Sequence, residues 1–184
     1  MLINKKEFVH LELTYIIRSA EIKDAKSLSE IRVQIDGETE NLDREMGESY
    51  IDEEGFIKLI EVDSKSTHHL FLVCEVNGRI VGFSRCEGNS LRRMAHKVEF
   101  GVCVLKEFWG YGIGTNFLKE TLNWADSNGI KKISLSVLET NENAIGLYKK
   151  SGFEVEGILK KDKLLSDGNY YNTIIMGRIN ELIM

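Results

Sequence analysis

VCVLKEFWGYGIG, residues 102–114, begins as an apolar strand and ends in glycines at alternate positions: Gly110, Gly112 and Gly114. A helical apolar pattern follows at once, with Ile113, Phe117, Leu118, Thr121, Leu122 and Ala125 on one stripe. Glycines at the mouth of a helix let a ligand approach backbone N–H groups that have no acceptor within the helix, and the helix dipole adds positive potential there. The segment therefore reads as an anion site built without lysine or arginine. A glycine-rich turn that only lets the helix pack closely is the competing reading. Two other phosphate loops do not match. A Walker loop needs a lysine after its last glycine, and Gly114 is followed by Thr115. A dinucleotide fold sets GxGxxG directly at the strand end, whereas LKEFW intervenes here and the third glycine comes one residue early.

Working outward, KVEFGVCVL (97–105) is a strand, the helix runs over about 112–128, and Asn128-Gly129 ends it as a left-handed cap. KISLSVL (132–138) is the next strand, so 97–138 is a β-α-β unit with parallel strands and a right-handed crossover. Asn141 caps a short helix that reaches Lys150, with Ala144, Leu147 and Tyr148 on one face. Upstream, TYIIRSA (14–20) is a strand, followed by a helix over about 21–35, a polar loop and a helix over about 52–63. HLFLVCEV and RIVGFSRCE flank Asn77-Gly78, the favoured type I′ hairpin turn. FEVEGILKKDKLL and YYNTIIMGRI flank Asp167-Gly168 as a second hairpin. The order is β-α-α-β-β-β-α-β-α-β-β.

The chain has 184 residues, 42% hydrophobic and 29% charged, without a proline. That is enough for one domain over 1–184 with its own core. No apolar run approaches the roughly 18 residues that span a membrane. The N-terminal residues lack the apolar core of a signal peptide. Cys74, Cys86 and Cys103 are odd in number and show no CxxC spacing, which predicts reduced thiols in the cytoplasm and no disulfide framework. The histidines form no cluster, so no metal site is expected. Net charge is −5, yet residues 36–63 hold eleven acids against Arg44 and Lys58. That block carries −9 (two bases less eleven acids), leaving +4 elsewhere. A clustered basic face for nucleic acid is lacking. The acidic block reads either as solvated helix faces or as a field that draws a cationic substrate.

About thirty residues beyond the glycines, TNENAIGLYKKSGFEVEG joins a capping asparagine, a helix bearing a tyrosine and a Gly-Phe strand entry. Together with VCVLKEFWGYGIG this resembles the GNAT superfamily of acetyl-CoA-dependent N-acetyltransferases, in order and spacing, from YIIRSAEIKDA to YNTIIMGRI. VEFGVCV, NENAIGLYKKSGF and DGNYYNTIIM look most like the bacterial group acting on amino acids, polyamines or protein N-termini. The resemblance implies a mixed, mostly antiparallel sheet of about six or seven strands with helices on both faces. Its central parallel pair splays to admit coenzyme A.

It also implies roles. Val102, Cys103 and Val104 lie beside the pantetheine arm. The backbone from Trp109 through Gly110, Tyr111, Gly112, Ile113 and Gly114 to Thr115 holds the diphosphate, with Trp109 where the family has Gln or Arg. Asn141 bonds the pantetheine arm and Asn143 adds a second contact. Tyr148 gives a proton to the departing thiolate, for which a phenol is chemically suited. Glu99 is the candidate base for the incoming amine, with Glu139 and Glu38 behind it. Ser136 stands where ribosomal-protein acetyltransferases often carry a glutamate. Acetyl-CoA is the implied cofactor, CoA the product, and a small-molecule amine the partner. Peptide N-terminal acetylation and a non-catalytic acyl-CoA sensor are the alternatives. The family often forms homodimers. Cys103 has no histidine near it in sequence, which argues against a covalent intermediate.

Overall fold

Asn77 and Gly78 take φ of 49° and 80°, the two positive values that match a hairpin turn to the twist of its strands. They join β3 (Leu70–Val76) to β4 (Arg79–Gly88). A computed structural model describes residues 2–181. It adds β1 (Lys6–His10), β2 (Leu13–Ser19), α1 (Ala25–Glu38), α2 (Glu53–Lys65), β5 (Lys97–Val104) and α3 (Ile113–Ser127). β6 (Lys132–Leu138), α4 (Glu142–Lys150), β7 (Glu154–Leu164) and β8 (Tyr170–Ile179) complete the order. Short 3-10 turns at Ile22–Asp24 and Lys106–Phe108 precede α1 and the glycine loop.

All strands join one sheet of eight in the order β1-β2-β3-β4-β5-β6-β8-β7. The sequence predicts six or seven, and the strand it misses is β1. Two physical reasons hide it. The β1 segment is exposed on both faces, so no period-two alternation marks it. Its turn also uses Leu11 at φ 53° rather than an asparagine or glycine. A leucine in that left-handed region costs about 1–2 kcal/mol.

β5 and β6 are parallel, as the β-α-β reading requires, but they pair only from Lys97–Glu99 to Lys132–Ser134. Beyond that point β6 runs on beside β8 while β5 stays with β4. A gap therefore opens in the middle of the sheet.

Alternation decides which face each side chain reaches. The register Ile17–Cys74–Gly82–Val104 marks one face. Tyr15, two residues before Ile17, reaches α3 on that face through Asn116. Arg18 points the other way, holding Asp24 ahead of α1 through paired bonds of 2.7 and 2.9 Å. α1 and α2 thus cover one face and α3 covers the other, leaving β3 buried almost throughout. α4 joins α3, since Tyr148 meets Phe100 edge-on. α2 buries Phe56, Ile60 and Asp63 at helical spacing.

Candidate active site

The gap between β5 and β6 continues as a cleft of about 1500 Å³. Residues from both faces of the sheet line it: Thr39, Leu42 and Arg44 from the α1 side, Asn141, Ala144 and Tyr148 from the α4 side. Ligand groups entering over one face can therefore meet groups entering over the other.

The Leu105 amide bonds to the Val81 carbonyl at 2.9 Å. Main-chain groups alternate along a strand, so those of Val102 and Val104 face the open edge, away from β4. The Val104 carbonyl is held by Trp109 Nε1 at 2.8 Å. Trp109 thus fastens the loop to the strand through its side chain, a contact the sequence does not indicate.

Gly112 sits at φ 74°, in the N-cap position of α3. The first bond of that helix runs from the Asn116 amide to the Gly112 carbonyl. The amides of Ile113, Gly114 and Thr115 precede it and have no acceptor within the helix. A methyl group built at Gly110 or Gly114 would meet nothing within 4 Å, so the mouth of the helix is open to a ligand. An open, glycine-lined set of amides at a helix start suits a diphosphate. Gly110, Gly112, Ile113, Gly114 and Thr115 line the cleft, as does Trp109, but Tyr111 does not. Its carbonyl instead accepts the Tyr15 hydroxyl at 3.2 Å. Glu38 braces the same loop, accepting the Lys106 amide at 2.7 Å.

Across the gap, Asn141 caps α4 by accepting the Ala144 amide at 3.3 Å, a cap worth about 1 kcal/mol. Its side-chain amide nitrogen has no partner among the described residues. Asn143 lines the cleft beside it. Tyr148 packs on Phe100 and Phe153 and lines the cleft. Burial, helped by nearby Cys103, pushes its pKa up to about 12, so the phenol keeps its proton. Burial pushes the Cys103 thiol up to about 12 as well. All three cysteines are free, and a protonated Cys103 is a poor nucleophile.

Glu99 lines the cleft on the α1 face, directly opposite Glu87 of β4. Glu87 is paired with Arg85 at 2.8 Å. Among the described residues nothing pairs with the Glu99 carboxylate. The other two acids are committed elsewhere: Glu139 accepts the Asn172 amide and Nδ2 at 2.6 and 2.9 Å, and Glu38 braces the loop.

These elements match a known pattern. The model of the acetyltransferase (GNAT) family aligns with residues 36–153. The chain belongs to that family. GNAT acetyltransferases use acetyl-CoA. Among curated GNAT relatives, the chain is 32% identical over 109 residues to the L-amino acid N-acetyltransferase AaaT of Escherichia coli, covering 59% of this chain and 67% of that protein. It is 29% identical over 127 residues to the E. coli spermidine N(1)-acetyltransferase, covering 67% of each. A GNAT-family acetyltransferase from Streptococcus pneumoniae superposes with a TM-score of 0.87 at 26% identity, covering 90% of this chain and 99% of that one. A phosphinothricin acetyltransferase from Sinorhizobium meliloti, solved with acetyl-CoA, shares the fold at TM-score 0.77 and 20% identity, over 89% and 86% of the two chains.

Part of the acidic segment is bound within the fold. Asp36 is bound by Arg44 through bonds of 3.0 and 2.9 Å, Asp43 pairs with Lys163 of β7, and Asp63 takes Arg85 and His69. Glu40 accepts the Ser166 amide at 2.7 Å. Asp43 and Asp63 thus fasten the α1–α2 segment to the sheet, while Glu45, Glu48, Asp52, Glu53, Glu54 and Glu61 stay exposed. Behind Arg44 lies Arg32, buried and bonded to the Ser49 carbonyl at 2.8 Å. Burial and the neighbouring Arg44 lower its pKa. Among the described residues Asp36 is bonded by Arg44 alone, and Arg32 is held by the Ser49 carbonyl. Arg44 lines the cleft, and its Nη1 has no partner among the described residues. No helix there is long and apolar enough to cross a membrane, and no group of metal-ligating side chains is found among those residues.

Proposed function

We propose that this chain transfers the acetyl group of acetyl-CoA to the primary amine of a small amino-acid-like acceptor and releases CoA. The observation that carries the reading is one cleft, open to both faces of the sheet. It holds a glycine-lined amide cradle, a protonated Tyr148 and an unpaired Glu99. The cofactor supplies an acyl group activated as a thioester. Glu99 takes the proton that an ammonium must lose before it can attack, directly or through water. The open-edge amides of β5 polarise the acyl carbonyl. Tyr148 holds a proton for the leaving sulfur.

The acceptor class rests on Arg44. Its Nη1, left without a partner at the cleft, favours a carboxylate on the acceptor, which an amino acid has and a polyamine lacks. The likeness to the L-amino acid enzyme supports the same class. The three free cysteines accord with a reducing, cytoplasmic setting. A thiol-release screen with acetyl-CoA over L-amino acids, spermidine and short peptides tests the reading. Turnover is expected with free amino acids. Turnover with spermidine alone overturns the acceptor class, peptides alone move the chain to N-terminal acetylation, and CoA binding without turnover on any amine makes it a sensor.

A further inference from the structure

The glycine loop has no lysine or arginine within it, and the fold brings a donor to it from far away in sequence. β1 and β2 are seated against α3 by two contacts. Lys6 binds the buried Glu120 of α3 at 2.6 Å, and Tyr15 accepts from Asn116, while Phe8 stacks on Tyr15 within the hairpin with ring centres 5.6 Å apart. Strand alternation puts His10 on the same face as Lys6 and Phe8. A methyl group at Gly112 would lie 3.7 Å from His10 Nδ1 and 3.7 Å from the Tyr15 hydroxyl. The two neighbours differ in what they have left to offer. Tyr15 is committed, donating to the Tyr111 carbonyl at 3.2 Å and accepting from Asn116 Nδ2 at 2.6 Å. His10 is exposed, lines the cleft, and has no partner among the described residues.

We propose that His10 is a cofactor-binding residue whose imidazole donates a hydrogen bond to the diphosphate of CoA at the mouth of α3. Either protonation state of an imidazole offers an N–H donor, and a phosphate oxygen is a strong acceptor for it. The N-terminal hairpin thus completes the anion cradle: Tyr15 fixes the loop through Tyr111, and His10 reaches the ligand. The inference rests on the acetyl-CoA reading above.

The test compares ligands that keep or lack the diphosphate. CoA and dephospho-CoA both carry it, whereas S-acetylpantetheine ends before it. In His10→Ala, titration calorimetry should show CoA and dephospho-CoA weakened alike by roughly fivefold to tenfold, the size of one charge-assisted hydrogen bond at an open site. The kcat/KM for S-acetylpantetheine should not change. His10→Lys, which keeps a donor, should recover most of the affinity. Unchanged CoA affinity in His10→Ala overturns the proposal. So does an equal loss on S-acetylpantetheine, which marks damage to the hairpin. A loss confined to CoA assigns the contact to the 3′-phosphate and overturns the diphosphate assignment. Wild-type protein that binds neither CoA nor dephospho-CoA brings down the cofactor reading itself.

Discussion

The two halves of the cleft are built from different materials. On the α3 side, amides at a helix start and the open edge of β5 form the site, and glycines clear the approach. On the α1 side, charged side chains form it: Arg44 and Asp43 from one stretch of chain, Arg85 from β4, Lys163 from β7. A backbone site follows from local sequence, because the same few residues shape the loop and supply the donors. A side-chain site depends on which charges meet after folding, and residue spacing does not encode that. The difference teaches where to trust a motif. It places the glycine loop and the helix start, and is blind to which charges meet on the α1 side.

The sharpest way to break the comparison is Tyr148, a side chain in the half assigned to backbone. Tyr148→Phe should lower kcat about 100-fold, the range for losing a general acid, with the KM for acetyl-CoA nearly unchanged. Burial raises the phenol from 10.0 to about 12. The acid form is the working form, so this group causes no falling limb in the kcat–pH profile below that value. The same shift makes folding stability fall as pH rises from the unfolded pKa toward the folded one. Steady-state kinetics across pH checks the first two statements, chemical denaturation across pH checks the third, and a Phe variant with full kcat removes Tyr148 as the acid.

Much of the frame is legible before any coordinates. The Asn77-Gly78 turn, the β-α-β unit over 97–138 and the Asn141 cap each rest on neighbours within a few residues. β1 is not legible, because it is exposed on both faces and turns at Leu11. With β1 goes His10, whose approach to Gly112 spans about a hundred positions. The block over residues 36–63 is legible only in part. Most of its acids are exposed, as their run in sequence suggests, but Asp36 and Asp63 are buried against arginines. A run of charge in sequence does not say whether water or a guanidinium will face it.

The acceptor half is tested next, by Arg44→Lys. This change keeps the charge near the buried Asp36 but loses the planar fork. Removing the charge altogether, as in Arg44→Met, would leave a buried carboxylate unpaired at a cost of about 3 kcal/mol or more, so lysine is the cleaner probe. The KM for an amino-acid acceptor should rise about tenfold, while that for acetyl-CoA stays put. If both KM values move together, the two halves of the cleft are not independent and the division drawn above fails.

The smallest effect belongs to Tyr15, which bridges the halves of the argument because a side chain there shapes a backbone site. Its hydroxyl is shared between the Tyr111 carbonyl and Asn116 Nδ2, and the residue is 1% exposed. Tyr15→Phe leaves a carbonyl and an amide without a partner in a half-buried place, at a cost of about 1 kcal/mol by chemical denaturation. The Phe8 ring still stacks on the aromatic face, so the hairpin keeps its seat. The loop then loses its tether but not its glycines. CoA affinity should fall only about threefold, the consequence of a modest rise in loop freedom, and kcat should hold. A loss as large as that expected for His10→Ala would mean that the tether, and not the free imidazole, carries the contribution of the N-terminal hairpin to cofactor binding.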